Sequence, residues 1–199
     1  MINTNSFQVA YSAVPNFGDG SEEPIRINID GAIIACCGDD KIKVGKVLAS
    51  RLDAPKENSF GDLFDDAQEV FEICSVLFDT ETGKCKPQVK KLFGERTFNG
   101  VLLIHHLRLD PNCRGRNWGL AVMQDVIRTF GRGCGLVGIL PFPLQYRDRE
   151  DEMIQKDGFK TSLPDSLKKL REYYSLIGFK QIGDSNVFAL SLRDFNRSH

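Results

Sequence analysis

Residues 99 to 140 read NGVLLIHHLRLDPNCRGRNWGLAVMQDVIRTFGRGCGLVGIL, and no other stretch of the 199-residue chain restricts the fold as strongly. Its apolar run, bounded by Asn99-Gly100 and Asp110-Pro111, has the composition of a buried strand. From 119 to 130, Leu120, Val122, Met123, Val126, Ile127 and Phe130 fall on one face at helical spacing, and Gly131-Arg132-Gly133 ends the helix. CGLVGILPFPLQ follows as a second buried strand, stopped by two prolines that have no N–H for a ladder in mid-sheet. Strand, glycine-rich turn, helix and strand in succession point to an α/β fold.

The remainder is read around that block. One domain spanning residues 1–199 is the expectation for this length. Residues 1–24 are polar and rich in Asn, Ser, Gly and Pro, as in an irregular arm or a weakly held first strand. RINID, then GAIIACCG, a turn at Gly38-Asp39-Asp40, and KIKVGKVLASRLD read as strands of a hairpin or meander. Residues 60–79 place Leu63, Phe64, Ala67, Val70, Phe71, Cys74, Leu77 and Phe78 at three-and-four spacing, an amphipathic helix. Its other face carries Asp62, Asp65, Asp66, Glu69 and Glu72, either a solvated face or an acidic rim for a cationic amine. A turn at Thr80–Gly83 leads to a lysine-containing stretch. Residues 146–161 form a charged connection long enough for a lid or substrate loop, or simply solvated, with Arg147 and Arg149 among acids. A helix from Pro164, capped by Ser162 or Asp165 and stopped at Gly178, precedes a closing hairpin, FKQIG and NVFALSL around Asp184-Ser185-Asn186.

The turn between the first strand and helix carries the chemistry. The N–H groups that open a helix have no partner inside it, and the helix dipole adds partial positive charge, so this is an anion site. Gly115 and Gly119 let the backbone approach a ligand, and Asn117 is one of the few non-glycine residues that tolerates a left-handed conformation. Arg114 and Arg116 suit phosphate oxygens, which makes a pyrophosphate the natural guest. Neither the G-x-x-x-x-G-K-[ST] loop nor G-x-G-x-x-G after a strand occurs, so a P-loop and a dinucleotide fold are unsupported.

LRLDPNCRGRNWGLAVMQDVI resembles the acetyl-CoA-binding signature of the GNAT superfamily of N-acetyltransferases, R/Q-x-x-G-x-G/A. Arg114 through Gly119 fit it with Asn117 in place of the first glycine and with Pro111 and Val122-Met123 in their usual positions; a second register runs from Arg116 through Gly119 to Ala121. REYYSLIGFKQIG resembles the later Y-x-x-x-G-F segment, and together the two cover residues 100–190. The family's opening order of strand, two helices and two strands is not legible in the N-terminal half. The resemblance implies a GNAT-like mixed, largely antiparallel central sheet with helices on both faces. It also implies transfer of an acetyl group from acetyl-CoA to a primary amine acceptor, or a non-catalytic acyl-CoA sensor of the same fold.

The resemblance further implies roles for single residues. Leu107, Arg108 and Leu109 would offer backbone to the pantetheine arm. Arg114, Gly115, Arg116, Asn117, Trp118, Gly119, Leu120 and Ala121 would hold the pyrophosphate, with Trp118 packing beneath the loop. Tyr174, four residues before Gly178, stands where the family keeps the tyrosine that protonates the leaving thiolate, although it also falls on the apolar face of its helix. His105 and His106 are two of three histidines, and an imidazole titrates in the range that suits removal of an amine proton. Strand alternation would aim one of the pair at the cleft unless a bulge changes the phase. Ordered water is the other route for that proton.

With 26 Lys+Arg against 27 Asp+Glu and no basic start followed by an apolar run, a cytoplasmic protein with no nucleic-acid or membrane partner is expected. No metal is implied: the six cysteines show no C-x-x-C pair and read as reduced thiols. The acidic helix tilts the acceptor toward a small cationic molecule, and oligomeric state is left open.

Overall fold

A computed structural model describes residues 6–17, 24–37, 40–53, 68–94, 100–142 and 162–198. Three long strands, β1 (Ser6–Phe17), β2 (Pro24–Cys37) and β3 (Asp40–Asp53), lead to helices α1 (Gln68–Leu77) and α2 (Pro87–Phe93). Then come β4 (Gly100–Leu109), a single 3-10 turn at Pro111–Cys113, α3 (Trp118–Phe130) and β5 (Leu136–Ile139). The chain continues with α4 (Leu163–Ser175), β6 (Lys180–Gln181), β7 (Phe188–Ser191) and α5 (Leu192–Ser198). The seven strands form one sheet in the order β1-β2-β3-β4-β5-β7-β6, antiparallel throughout except for the parallel pair β4 and β5. The expected fold class, a mixed and largely antiparallel sheet with helices on both faces, is the one observed.

Alternation along the central strands divides the interior into two cores. Leu102 and Ile104 of β4, Val137 and Ile139 of β5, and Phe188 and Leu190 of β7 point to the face covered by α3, α4 and α5, where Val122, Met123, Val126, Tyr174 and Phe195 meet them. Val101, Leu103, Leu136 and Ala189 point the other way, against Val70, Ile73, Cys74 and Leu77 of α1 and Val89 and Phe93 of α2. Each such aliphatic side chain, once fully buried, contributes about 1.5–3 kcal/mol. Gly138 of β5 is part of the fit: a Cβ there would stand 2.8 Å from Ile73 Cγ2. No helix among the described residues is long and apolar enough to cross a membrane.

Several expectations need correction. Of the two alternatives for residues 1–24, the strand is realised: β1 pairs with β2 from Ser6 to Phe17, and Phe7, Val9 and Tyr11 pack on the α3-side core. Gly31 does not divide two strands. It lies inside β2 directly opposite Tyr11 on one side and Val47 on the other, and a Cβ would stand 2.6 Å from Val47 and 2.9 Å from the Tyr11 ring. The lysine-rich stretch contains α2, which starts with Pro87 at its first turn, a position where the missing N–H costs nothing. The closing strand runs directly into α5. The acidic helix is described from Gln68 onward, so Asp62, Asp65 and Asp66, like the 146–161 connection, lie outside the described residues. Ser162 is the cap of α4, its Oγ accepting from Asp165 N–H at 3.3 Å.

Candidate functional site

The site begins where β4 outlasts its neighbour. β5 pairs only with Val101–Ile104 and ends at Ile139, while β4 runs on through Leu109 with β3 alone beside it among the described residues. Beyond Ile104 the edge of β4 that faces away from β3 is no longer paired with β5, and Leu107, Arg108 and Leu109 lie on that stretch. Leu107 and Leu109 pack their side chains on the α3-side core, and Arg108 is exposed.

The free end of β4 leads into the turn. Arg114 Nε donates to Leu109 O at 2.8 Å, tying the turn to the strand end. Gly115 and Asn117 both adopt positive φ, 76° and 58°, and for Asn117 this is the left-handed conformation that its sequence position suggested. A Cβ on Gly115 would meet nothing within 4 Å, so its backbone faces open space. Asn117 is the N-cap of α3, and the first N–H with a helical acceptor is that of Ala121, which donates to Asn117 O at 3.1 Å. The N–H groups of Trp118 and Gly119 lie ahead of it in the first turn. Trp118 is 8% exposed, its ring 5.4 Å from that of Phe7 and the Arg116 guanidinium 5.8 Å above it. The tryptophan packs beneath the turn, as expected. At the far end of α3, Arg51 Nη1 donates to Arg132 O at 2.8 Å while its Nε and Nη2 hold Asp53 Oδ1, so a cation meets the negative end of the helix.

The two histidines sit at a β-bulge. Leu48 pairs with His106 and Ala49 with Ile104, which leaves His105 as the extra residue. The bulge changes the phase, and both rings point to the α1 face. His105 Nε2 lies 2.9 Å from Ser50 Oγ, and His106 Nε2 lies 3.8 Å from Glu69 Oε2 on α1. Glu69 is the described acid of α1 that turns inward; Glu72 is exposed.

The tyrosines divide differently from the sequence reading. Tyr174 is 7% exposed, packed against Phe179 in the same core as Ile104 and Ile139, the residues at which β4 and β5 part. Burial raises the pKa of its hydroxyl, so the group stays protonated. Tyr173 reaches the first turn of α3: its Oη accepts from Leu120 N–H at 2.9 Å. Gly119 makes room for it, since a Cβ there would stand 2.7 Å from that oxygen. Adjacent helix positions differ by about 100°, which separates the two rings. Tyr174 and the histidines thus approach the parting of β4 and β5 from opposite faces of the sheet. Sequence reasoning missed Ser50, Arg26, Asn28 and Tyr173; the available signal was a serine in the apolar run VLASRLD and the small residue at 119.

No family model matches the chain, and no curated protein matches it in sequence. Among solved structures it is similar to the KacTA–DNA complex (TM-score 0.46, 12% identity, 96% of this chain and 98% of that one). It is also similar to a tyrosine-to-phenylalanine mutant of KacT (0.45, 12%, 96% and 99%) and to AtaTR bound with AcCoA (0.43, 9%, 96% and 97%). These likenesses are distant, and the site rests on the chain's own geometry. One expectation is overturned by them: the exclusion of nucleic acid as a partner does not stand, because one of these similar structures is a complex with DNA. The physical flaw was to average charge over the chain, which leaves the charge of a single face undetermined.

Proposed function

We propose that the protein is an acyl-CoA-dependent N-acetyltransferase that moves the acetyl group of acetyl-CoA to a primary amine, the amine belonging to a small cationic molecule. One observation carries the reading: β4 extends five residues past the end of its pairing with β5 and leads into a left-handed Gly115–Asn117 turn at the start of α3. A strand that outlasts its neighbour suits the amide groups of a pantetheine arm, and the turn suits a pyrophosphate. The open space at Gly115 and the helix N–H groups of Trp118 and Gly119 fit that anion.

In this reading Arg114 and Arg116 supply charge to the phosphates, and backbone N–H groups of β4 polarise the thioester carbonyl. When bound, acetyl-CoA supplies an acyl carbon with a thiolate leaving group. His105 or His106, on the α1 side of the parting strands, removes the amine proton. Tyr174, kept protonated by burial, delivers a proton to the departing sulfur. Glu69, beside His106, favours a cationic acceptor.

Calorimetric titration of acetyl-CoA tests the reading. Wild type should bind, and the Arg114→Ala/Arg116→Ala double variant should bind at least roughly ten-fold more weakly, since each charge-assisted hydrogen bond contributes about 1.5–3 kcal/mol. Absence of wild-type binding would sink the proposal. Binding without turnover across an amine panel would turn it into that of an acyl-CoA sensor.

A further inference from the structure

We infer that Ser50 is a positioning residue that fixes the tautomer of His105, with Arg26 and Asn28 of β2 setting the direction of its hydroxyl; the inference rests on the reading of His105 as the base. Ser50 is one of three buried polar residues of the described chain, 1% exposed, and sits on β3 in register with Asn28 on one side and Leu103 on the other. His105 lies two residues beyond Leu103 on the same sheet face, a diagonal neighbour across the ladder.

Four polar atoms converge on one hydroxyl. Arg26 directs Nε and Nη2 at Ser50 Oγ, both at 3.3 Å; Ser50 Oγ donates to Asn28 Oδ1 at 3.0 Å; and His105 Nε2 stands 2.9 Å away. A hydroxyl has one proton and two lone pairs, and a guanidinium only donates. With Arg26 on one lone pair and the proton committed to Asn28, the remaining lone pair faces the imidazole, so His105 Nε2 must carry the hydrogen. Neutral His105 is then the Nε2–H tautomer, and the basic lone pair lies on Nδ1, the ring nitrogen nearer the bulge backbone. Among the described residues, Arg26 on β2 shares the Ser50 hydroxyl with this ring, and Glu69 on α1 lies 3.8 Å from Nε2 of the neighbouring His106.

The proton inventory closes with that tautomer. The acceptor ammonium gives one proton to Nδ1, leaving a cationic ring whose Nε2–H stays on Ser50. The freed amine lone pair forms the C–N bond as the C–S bond breaks and the sulfur leaves with its pair. The second amine proton compensates the one the sulfur takes up, and one proton per turnover leaves the ring to solvent.

The test is NMR of full-length protein with 15N-labelled histidine, at a pH where the ring is neutral, with the His105 signals identified by their loss in His105→Gln. The expected result is a protonated-type Nε2 and an unprotonated-type Nδ1 in wild type and in Ser50→Thr, which keeps the hydroxyl, and a mixture of tautomers in Ser50→Ala. In parallel, Ser50→Ala should lose roughly ten- to a hundred-fold in kcat, as when other histidine-orienting groups are removed, with acetyl-CoA affinity unchanged, and Ser50→Thr should recover most of it. An Nδ1–H tautomer in wild type overturns the inference, as does an unchanged tautomer in Ser50→Ala. If no amine is turned over, the proposed function falls, while the spectrum still decides what Ser50 does. If Ser50→Ala fails to fold, wild type and Ser50→Thr decide it.

Discussion

From Val101 to Ile104, β4 is paired on both edges and exposes 1% or less of each side chain; from His106 to Leu109 its strand partner among the described residues is β3, and from His105 on its side chains are half-buried or exposed. One backbone thus serves two purposes within ten residues. The first segment is held by packing on both faces, and little there can be changed without a cost in stability. The second runs past the end of β5 and turns two titratable rings to one face, an arrangement that stability alone would not select. The boundary between the two segments is marked by one extra residue.

If the division is real, substitutions on its two sides should fail in different ways. Ile104→Ala, on the closed side, should lose about 2–5 kcal/mol of stability in chemical denaturation, while His106→Ala should stay within about 1 kcal/mol of wild type. Comparable losses at both positions would erase the distinction. At the junction, Tyr174→Phe should lower kcat by about a hundred-fold with little change in acetyl-CoA affinity, whereas Tyr173→Phe should move affinity and leave kcat nearly intact. Steady-state kinetics with calorimetry separates the two, and the reverse pattern would transfer the acid role to Tyr173.

Gly45→Val probes the open side through the backbone. A Cβ at Gly45 collides with the Arg108 carbonyl, so the variant should lose about 1–3 kcal/mol and weaken acetyl-CoA binding together. Unimpaired binding in a destabilised variant would mean that the β4 edge is not the cofactor surface. The mildest probe is Cys134, just ahead of β5 at the closed end. Burial pushes its thiol up to about 11, so at pH 8 on the order of one molecule in a thousand carries the thiolate, and alkylation should quicken about ten-fold per pH unit toward 11. Fast alkylation at neutral pH would show that the closed end opens.

The strand–turn–helix–strand block was legible because each signal in it is local: a branched apolar run, positive-φ residues, helical spacing and glycine stops. Asn117 was readable as left-handed because few other non-glycine residues go there. The misses share a different physics. Helix α2 has seven residues, too few to display a period, and Gly31 looked like a break because its role depends on the Tyr11 ring and Val47 across two neighbouring strands. The bulge leaves no mark in the letters HH; it exists only as a mismatch of register with β3. The Ser50 cluster is assembled from three strands, so no window of sequence contains it.

The bulge also says something about chain length. Two residues, His105 and His106, stand opposite the single Leu48 on the same face, and beyond them Leu107 resumes opposite Val47. Deleting one of the pair would leave every apolar side chain of β4 on the face it already occupies and in the register it already holds, with plain alternation in place of the bulge. The strand is therefore one residue longer than its packing needs, and a deletion scan should find that surplus as a single tolerated gap in a segment that otherwise admits none.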